Sequence, residues 1–131
     1  MKEKISGQCL CGAVSYVSSA ELKFSLMCQC RQCQKITGTG HSVQFAVDAT
    51  RTNISGEVQS YALKADSGND VTSVFCGNCG NPIYKTTSMM PDTFVFHAAT
   101  LDDPSSLKPQ MVVYSNSAQP WDCIDPAIAR K

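Results

Sequence analysis

The residues best suited to chemistry are cysteines, and their spacing is uneven. Cys28-Gln29-Cys30-Arg31-Gln32-Cys33 packs three thiols into six residues in the pattern C-x-C-x-x-C. Cys9-Leu10-Cys11 lies upstream and Cys76-Gly77-Asn78-Cys79 downstream, so seven of the eight cysteines fall in three tight clusters. A disulfide closes poorly across one or two residues, whereas two nearby thiolates clasp a zinc ion readily. The spacing is therefore that of metal ligands.

Gly77 and Gly80 around Cys76 and Cys79 let the backbone curl toward a metal and turn N–H groups onto the sulfurs, and Asn81-Pro82 then returns the chain to an extended path. A thioredoxin-like redox pair would need a helix pattern after its first cysteine, and none follows Cys76. Two ligands do not fill a tetrahedral site. Cys9 and Cys11, with Gly7 and Gly12 leaving room around them, are the natural complement. That partition leaves Cys28, Cys30 and Cys33 as a threesome with one open position, the arrangement of a catalytic zinc. Three thiolates make zinc a weak Lewis acid toward water but suit it to activating an external thiol. Spacing also permits Cys9 and Cys11 to pair with Cys28 and Cys30 instead.

Other candidates carry plainer alternatives. Arg31 and Lys35 can meet a substrate carboxylate, or be solvated surface charges. His41 can approach the open metal position, or be a polar loop residue; His97, in the apolar run Phe94-Val95-Phe96, is expected to be a sheet-face residue. Cys123 stands alone, as a free thiol or a fourth ligand. Asp102 and Asp103 before Pro104 read as turn formers. Phe45, Phe75, Phe94, Phe96 and Trp121 read as core.

The elements that must position these groups are short. Strands are expected at residues 14–17, 43–47, 58–63, 71–75, 82–87, 93–98 and 111–114, with a short helical turn over residues 31–36 stopped by Gly38 and Gly40. Residues 65–70 form the clearest loop. The 131 residues fit one domain, 1–131, and the low charged fraction of 17% suits mainly β structure. No apolar run approaches the length of a membrane span, and Met1-Lys2-Glu3-Lys4-Ile5 lacks the apolar core of a signal peptide, so a cytoplasmic protein is expected. In that compartment eight cysteines point to metal or redox chemistry rather than to disulfides. The formal net charge of +0 turns mildly acidic once thiolates hold zinc, which leaves no basic footprint for a nucleic acid.

Taken in order, Gly7-Gln8-Cys9-Leu10-Cys11-Gly12-Ala13-Val14-Ser15-Tyr16, the C-x-C-x-x-C run, Thr37-Gly38, Phe75-Cys76-x-x-Cys79-Gly80 and Leu101-Asp102-Asp103-Pro104 resemble the glutathione-dependent formaldehyde-activating enzyme (GFA) family, which includes centromere protein V. The resemblance runs from about Gly7 to Trp121. It implies a β-tent of stacked antiparallel sheets around two zinc ions per chain. Cys9, Cys11, Cys76 and Cys79 are the implied ligands of a structural zinc, and Cys28, Cys30 and Cys33 those of a second zinc at the active site. The implied activity is that of a carbon–sulfur lyase joining the glutathione sulfur to formaldehyde or a related aldehyde. The family often carries His between the first two cysteines of the central run, where this chain has Gln29. The competing expectation is a non-catalytic zinc module that binds another protein, its second zinc closed by His41 or Cys123.

Overall fold

The protein is described here by a computed structural model covering residues 4–131. Met1-Lys2-Glu3, part of the N-terminal stretch read above as lacking a signal-peptide core, lies outside those residues. Eleven strands and one α-helix run in the order β1 (Ile5–Gln8), β2 (Ser15–Ser18), β3 (Phe24–Cys28), α1 (Arg31–Thr37), β4 (Ser42–Asp48), β5 (Thr52–Ser55), β6 (Val58–Lys64), β7 (Asp70–Cys76), β8 (Pro82–Thr87), β9 (Met90–His97), β10 (Met111–Val113) and β11 (Ala129–Arg130). The mainly β expectation holds, and each of the seven expected strands is present within a few residues. Strands β1, β3, β5 and β11 are additional.

The strands form two sheets. One has the order β1-β2-β5, the other β11-β10-β3-β4-β9-β8-β7-β6. Pairing is antiparallel except around β10, which runs parallel to both β3 and β11. These two pairings depart from the otherwise antiparallel pattern: the chain reaches β10 through the Pro104–Ser106 turn and arrives alongside β3 in the same direction.

Between the sheets sits an aromatic core. Alternation sends Phe45 and Val47 of β4 to this side, and the cross-strand pair Phe45–Phe96 continues to Tyr84 on β8. Tyr16 of β2 stacks on Phe96 with ring centroids 4.0 Å apart, and Phe45 lies 5.4 Å from the same ring. Phe45 and Phe96 are fully buried; a side chain of this kind contributes roughly 1.5–3 kcal/mol through removal from water. The approach is tight: a Cβ at Gly7 would meet the Tyr16 hydroxyl and the Thr100 carbonyl oxygen at 2.4 and 2.3 Å. Trp121 does not join this core. It is 67% exposed in the C-terminal segment, outside the core cluster built on Tyr16, Phe45 and Phe96.

The opposite face of the larger sheet carries the partners of the other register positions: Leu26 beside Gln44 beside His97, and Phe24 beside Ala46, Val95, Lys85 and Ser73 in turn. This face is the floor on which the second cysteine cluster stands.

Candidate metal centres and cleft

Two groups of sulfurs gather, each with its atoms within 4.8 Å of one another: Cys9, Cys11, Cys76 and Cys79, and separately Cys28, Cys30 and Cys33. The first joins the β1–β2 turn of the small sheet to the β7–β8 turn of the large one. Its Cys9–Cys11 and Cys11–Cys76 sulfur separations are 3.7 and 3.8 Å. A tetrahedron of thiolates about 2.3 Å from zinc has edges of about 3.8 Å, so the donor set fits a closed tetrahedral ion. The surroundings fit as well. Val14 N–H donates to Cys9 Sγ at 3.3 Å, Asn78 and Cys79 N–H both donate to Cys76 Sγ at 3.3 Å, and the Asn78 amide reaches Cys11 Sγ at 3.3 Å. Burial pushes the Cys9 thiol up, but the Val14 N–H and the neighbouring sulfurs outweigh it and bring the thiol down to about 6. Gly80, at φ 76°, supplies the left-handed turn that such a knuckle needs. Leu10 N–H donates to the Asn81 side-chain carbonyl at 2.8 Å and locks the two turns together.

The second group is built by a strand end and a helix start. Cys28 is the last residue of β3, Cys30 is the N-cap of α1, and Cys33 lies in its first turn. Cys30 Sγ accepts from Cys33 N–H at 3.3 Å, which is the ordinary capping bond made by a sulfur. Gly38 ends the helix in the left-handed conformation, its N–H donating to the Gln34 carbonyl at 2.8 Å. Cys33 Sγ also accepts from the Gln44 amide at 3.4 Å. The thiols ionise as a unit. Donation from the Cys28 and Cys30 thiols holds Cys33 low, and the bonds with Cys30 and Cys33, with burial, push Cys28 far up. A bound cation would favour the thiolate form of all three. Among the described residues no fourth Cys, His, Asp or Glu joins this group.

The three cysteines open onto a cleft. Its two adjoining lobes share Cys28, Ala65, Val71, Lys85 and Tyr114. Tyr114 follows β10 with φ 57° and ψ 36°, the one positive-φ residue other than glycine among the described residues. A bulky side chain in that region stores strain, which functional sites tend to concentrate.

The remaining sequence candidates fall elsewhere. His41 faces a different hollow, and its Nδ1 contacts the Asp122 carboxylate at 2.8 Å. Asp122 also accepts from the Gln29 amide at 3.0 Å. The buried Gln29 thus fastens the C-terminal segment to the loop that carries the cysteines. Burial holds the His97 imidazole down at about 4, with the Lys85 charge adding to the effect. Cys123 is exposed and belongs to neither cluster. Arg31 is exposed on the rim beside Cys30, bonded to the Gln34 side chain, and Lys35 is exposed over a separate hollow. Asp103 caps the Pro104–Ser106 turn, as a turn former does, whereas Asp102 accepts from Ser6 Oγ at 2.7 Å and ties the turn to β1. Sequence reasoning did not single out Lys85, Tyr114, Gln44 or Asp122. Alternation places Lys85 opposite Tyr84, but only the sheet order shows that its face carries the cysteines.

Comparison with known proteins agrees with this architecture. Residues 4–117 match the sequence model of the family described as glutathione-dependent formaldehyde-activating enzyme. No curated protein matches the chain. A solved structure of a Rhodobacter sphaeroides protein, a structural genomics target, aligns at a TM-score of 0.58 and 20% identity, covering 79% of this chain and 91% of its own. That likeness is one of fold.

Proposed function

The chain belongs to the glutathione-dependent formaldehyde-activating enzyme family, and from that premise we propose that it is a zinc-dependent carbon–sulfur lyase, forming or cleaving an S-hydroxymethyl or related adduct between a small thiol and an aldehyde. The observation that carries the proposal is the asymmetry of the two clusters: four sulfurs close one site, while three sulfurs at the wall of a cleft leave the other one ligand short. Cys9, Cys11, Cys76 and Cys79 would hold a structural zinc, and Cys28, Cys30 and Cys33 a second one. Bound there, zinc supplies a position that acidifies an incoming thiol. Glutathione is the thiol and formaldehyde the aldehyde that the family's name indicates.

The chain's own residues set the geometry. Helix α1 and the end of β3 fix the three sulfurs, and Gln44 orients Cys33 through its amide. The apolar floor of Leu26, Val95 and Val113 keeps the cleft poorly hydrated, which strengthens each polar contact made inside it. In the forward direction a sulfur–carbon bond forms, the carbonyl π pair moves to oxygen, and that oxygen takes a proton; cleavage is the reverse.

Cys30→Ser is the direct test. Serine is a good N-cap, so the bond now made from Cys33 N–H survives the change. The variant is expected to melt within a few degrees of the parent and to lose adduct turnover. Unfolding on this substitution would favour a closed, purely structural second site, and unchanged turnover would remove these thiols from the chemistry.

A further inference from the structure

Adduct formation leaves negative charge on the former carbonyl oxygen, and a site that carries out this step needs a donor aimed at it. Resting on the lyase reading, we propose that Lys85 is that donor: its ammonium group hydrogen-bonds the carbonyl oxygen of the aldehyde and protonates it as the sulfur–carbon bond forms. The substrate class follows. The electrophile is a small aldehyde bound with its oxygen toward β8 and its carbon toward the three sulfurs.

Four observations converge on Lys85. It lies in the middle of β8, on the face of the large sheet that also carries Gln44, the partner of Cys33. It lines both lobes of the cleft together with Cys28, and so sits at their junction. Its cross-strand neighbours are Ser73 and Val95, neither of them an acid. No salt bridge or hydrogen bond ties its side chain to a described residue, although it is half-buried. A cation taken partly out of water without a partner is costly, and it is retained where an anion or a developing anion will meet it. Arg31, the other cation lining the cleft, is exposed at the rim and already bonded to Gln34.

The step balances without an oxidant or reductant. The thiol sulfur gives its proton to solvent and its electron pair to the carbonyl carbon. The carbonyl π pair moves to oxygen, and oxygen takes a proton from Lys85. The Lys85 amine then recovers a proton from solvent. In the cleaving direction Lys85 first gives a proton to solvent, and its neutral amine accepts the hydroxyl proton as the sulfur–carbon bond breaks.

The test compares the zinc-loaded parent with Lys85→Met and Lys85→Gln, using glutathione and formaldehyde. Native mass spectrometry counts zinc per chain, calorimetry gives glutathione affinity, and NMR exchange measures turnover above the spontaneous rate. Lys85→Met is expected to keep its zinc count and to bind glutathione within about twofold, while kcat falls about 10²–10³-fold, the effect of losing one such donor. Lys85→Arg, which keeps charge and length, should restore part of the loss. Lys85→Gln carries the same comparison if the Met variant folds poorly. Three results overturn the assignment: unchanged kcat, glutathione affinity lost tenfold or more with kcat intact (a carboxylate anchor), or loss of a zinc ion (a counter-charge to the thiolates). A parent protein that binds zinc but shows no turnover overturns the lyase reading, and this assignment with it; a parent that turns over alongside an equally active Lys85→Met overturns this assignment alone.

Discussion

At the scale of single residues, Asp122 shows how far the cysteine loop depends on distant groups. Its carboxylate accepts from Gln29 and contacts His41, and the side chain is only 10% exposed. Burial alone would raise its pKa, but the bonds from Gln29 and His41 prevail and hold it below the usual carboxylate range. A carboxylate with a depressed folded-state pKa stabilises the fold above its unfolded value, and that contribution is lost as pH falls through the folded value. Asp122→Asn is therefore expected to cost about 1.5–3 kcal/mol at neutral pH, as hydrogen bonds to a charged group do. The difference between parent and variant should shrink to nothing as the pH drops below the carboxylate range. Urea unfolding at a series of pH values checks this; a difference that persists at low pH would assign the loss to packing instead. The Gln29 side chain is thus spent on Asp122, which accounts structurally for a glutamine between Cys28 and Cys30.

At the scale of elements, the legible part of the fold was the part with a local pattern. Strand β4 puts Val43, Phe45 and Val47 on one side, and its imperfect period-2 pattern located it from sequence, whereas β9 was legible as an apolar, β-rich run and β8 as the extended exit from the Cys76–Cys79 turn. Strand β3 escaped because Phe24-Ser25-Leu26-Met27-Cys28 is short and partly covered on both faces, which blurs the alternation. Strand β1 has a glycine where the chain passes close to Tyr16, and β11 is only two residues long and pairs with β10 in parallel. The cysteine clusters were visible because ligand spacing is local. Their division into four and three was not decided by spacing, because it depends on which turns the two sheets bring together. Aromatic assignments divide in the same way. Phe96→Ala, which empties a fully buried site against Tyr16 and Phe45, is expected to cost about 3–5 kcal/mol. Trp121→Ala, at a side chain 67% exposed, should stay within about 0.5 kcal/mol. Equal losses in denaturant unfolding would mean that Trp121 packs in the folded protein after all.

At the scale of the molecule, the two clusters do different mechanical work. The four-cysteine group bridges residues 65 positions apart, from Cys11 to Cys76, and fastens the small sheet to the large one. Closing so long a loop costs little more than closing a short one, so a metal at that point stabilises the whole arrangement rather than one turn. The three-cysteine group spans only six residues and bridges one strand and its following helix. No helix among the described residues is long and apolar enough to cross a membrane.

The most direct test of this account is the zinc content of freshly prepared, reduced protein, read by native mass spectrometry with and without glutathione. Two zinc ions per chain are expected, with one glutathione bound only when both are present. Cys30→Ser should retain one zinc and bind no glutathione. One zinc in the parent, or two with no glutathione bound, would contradict an open second metal site.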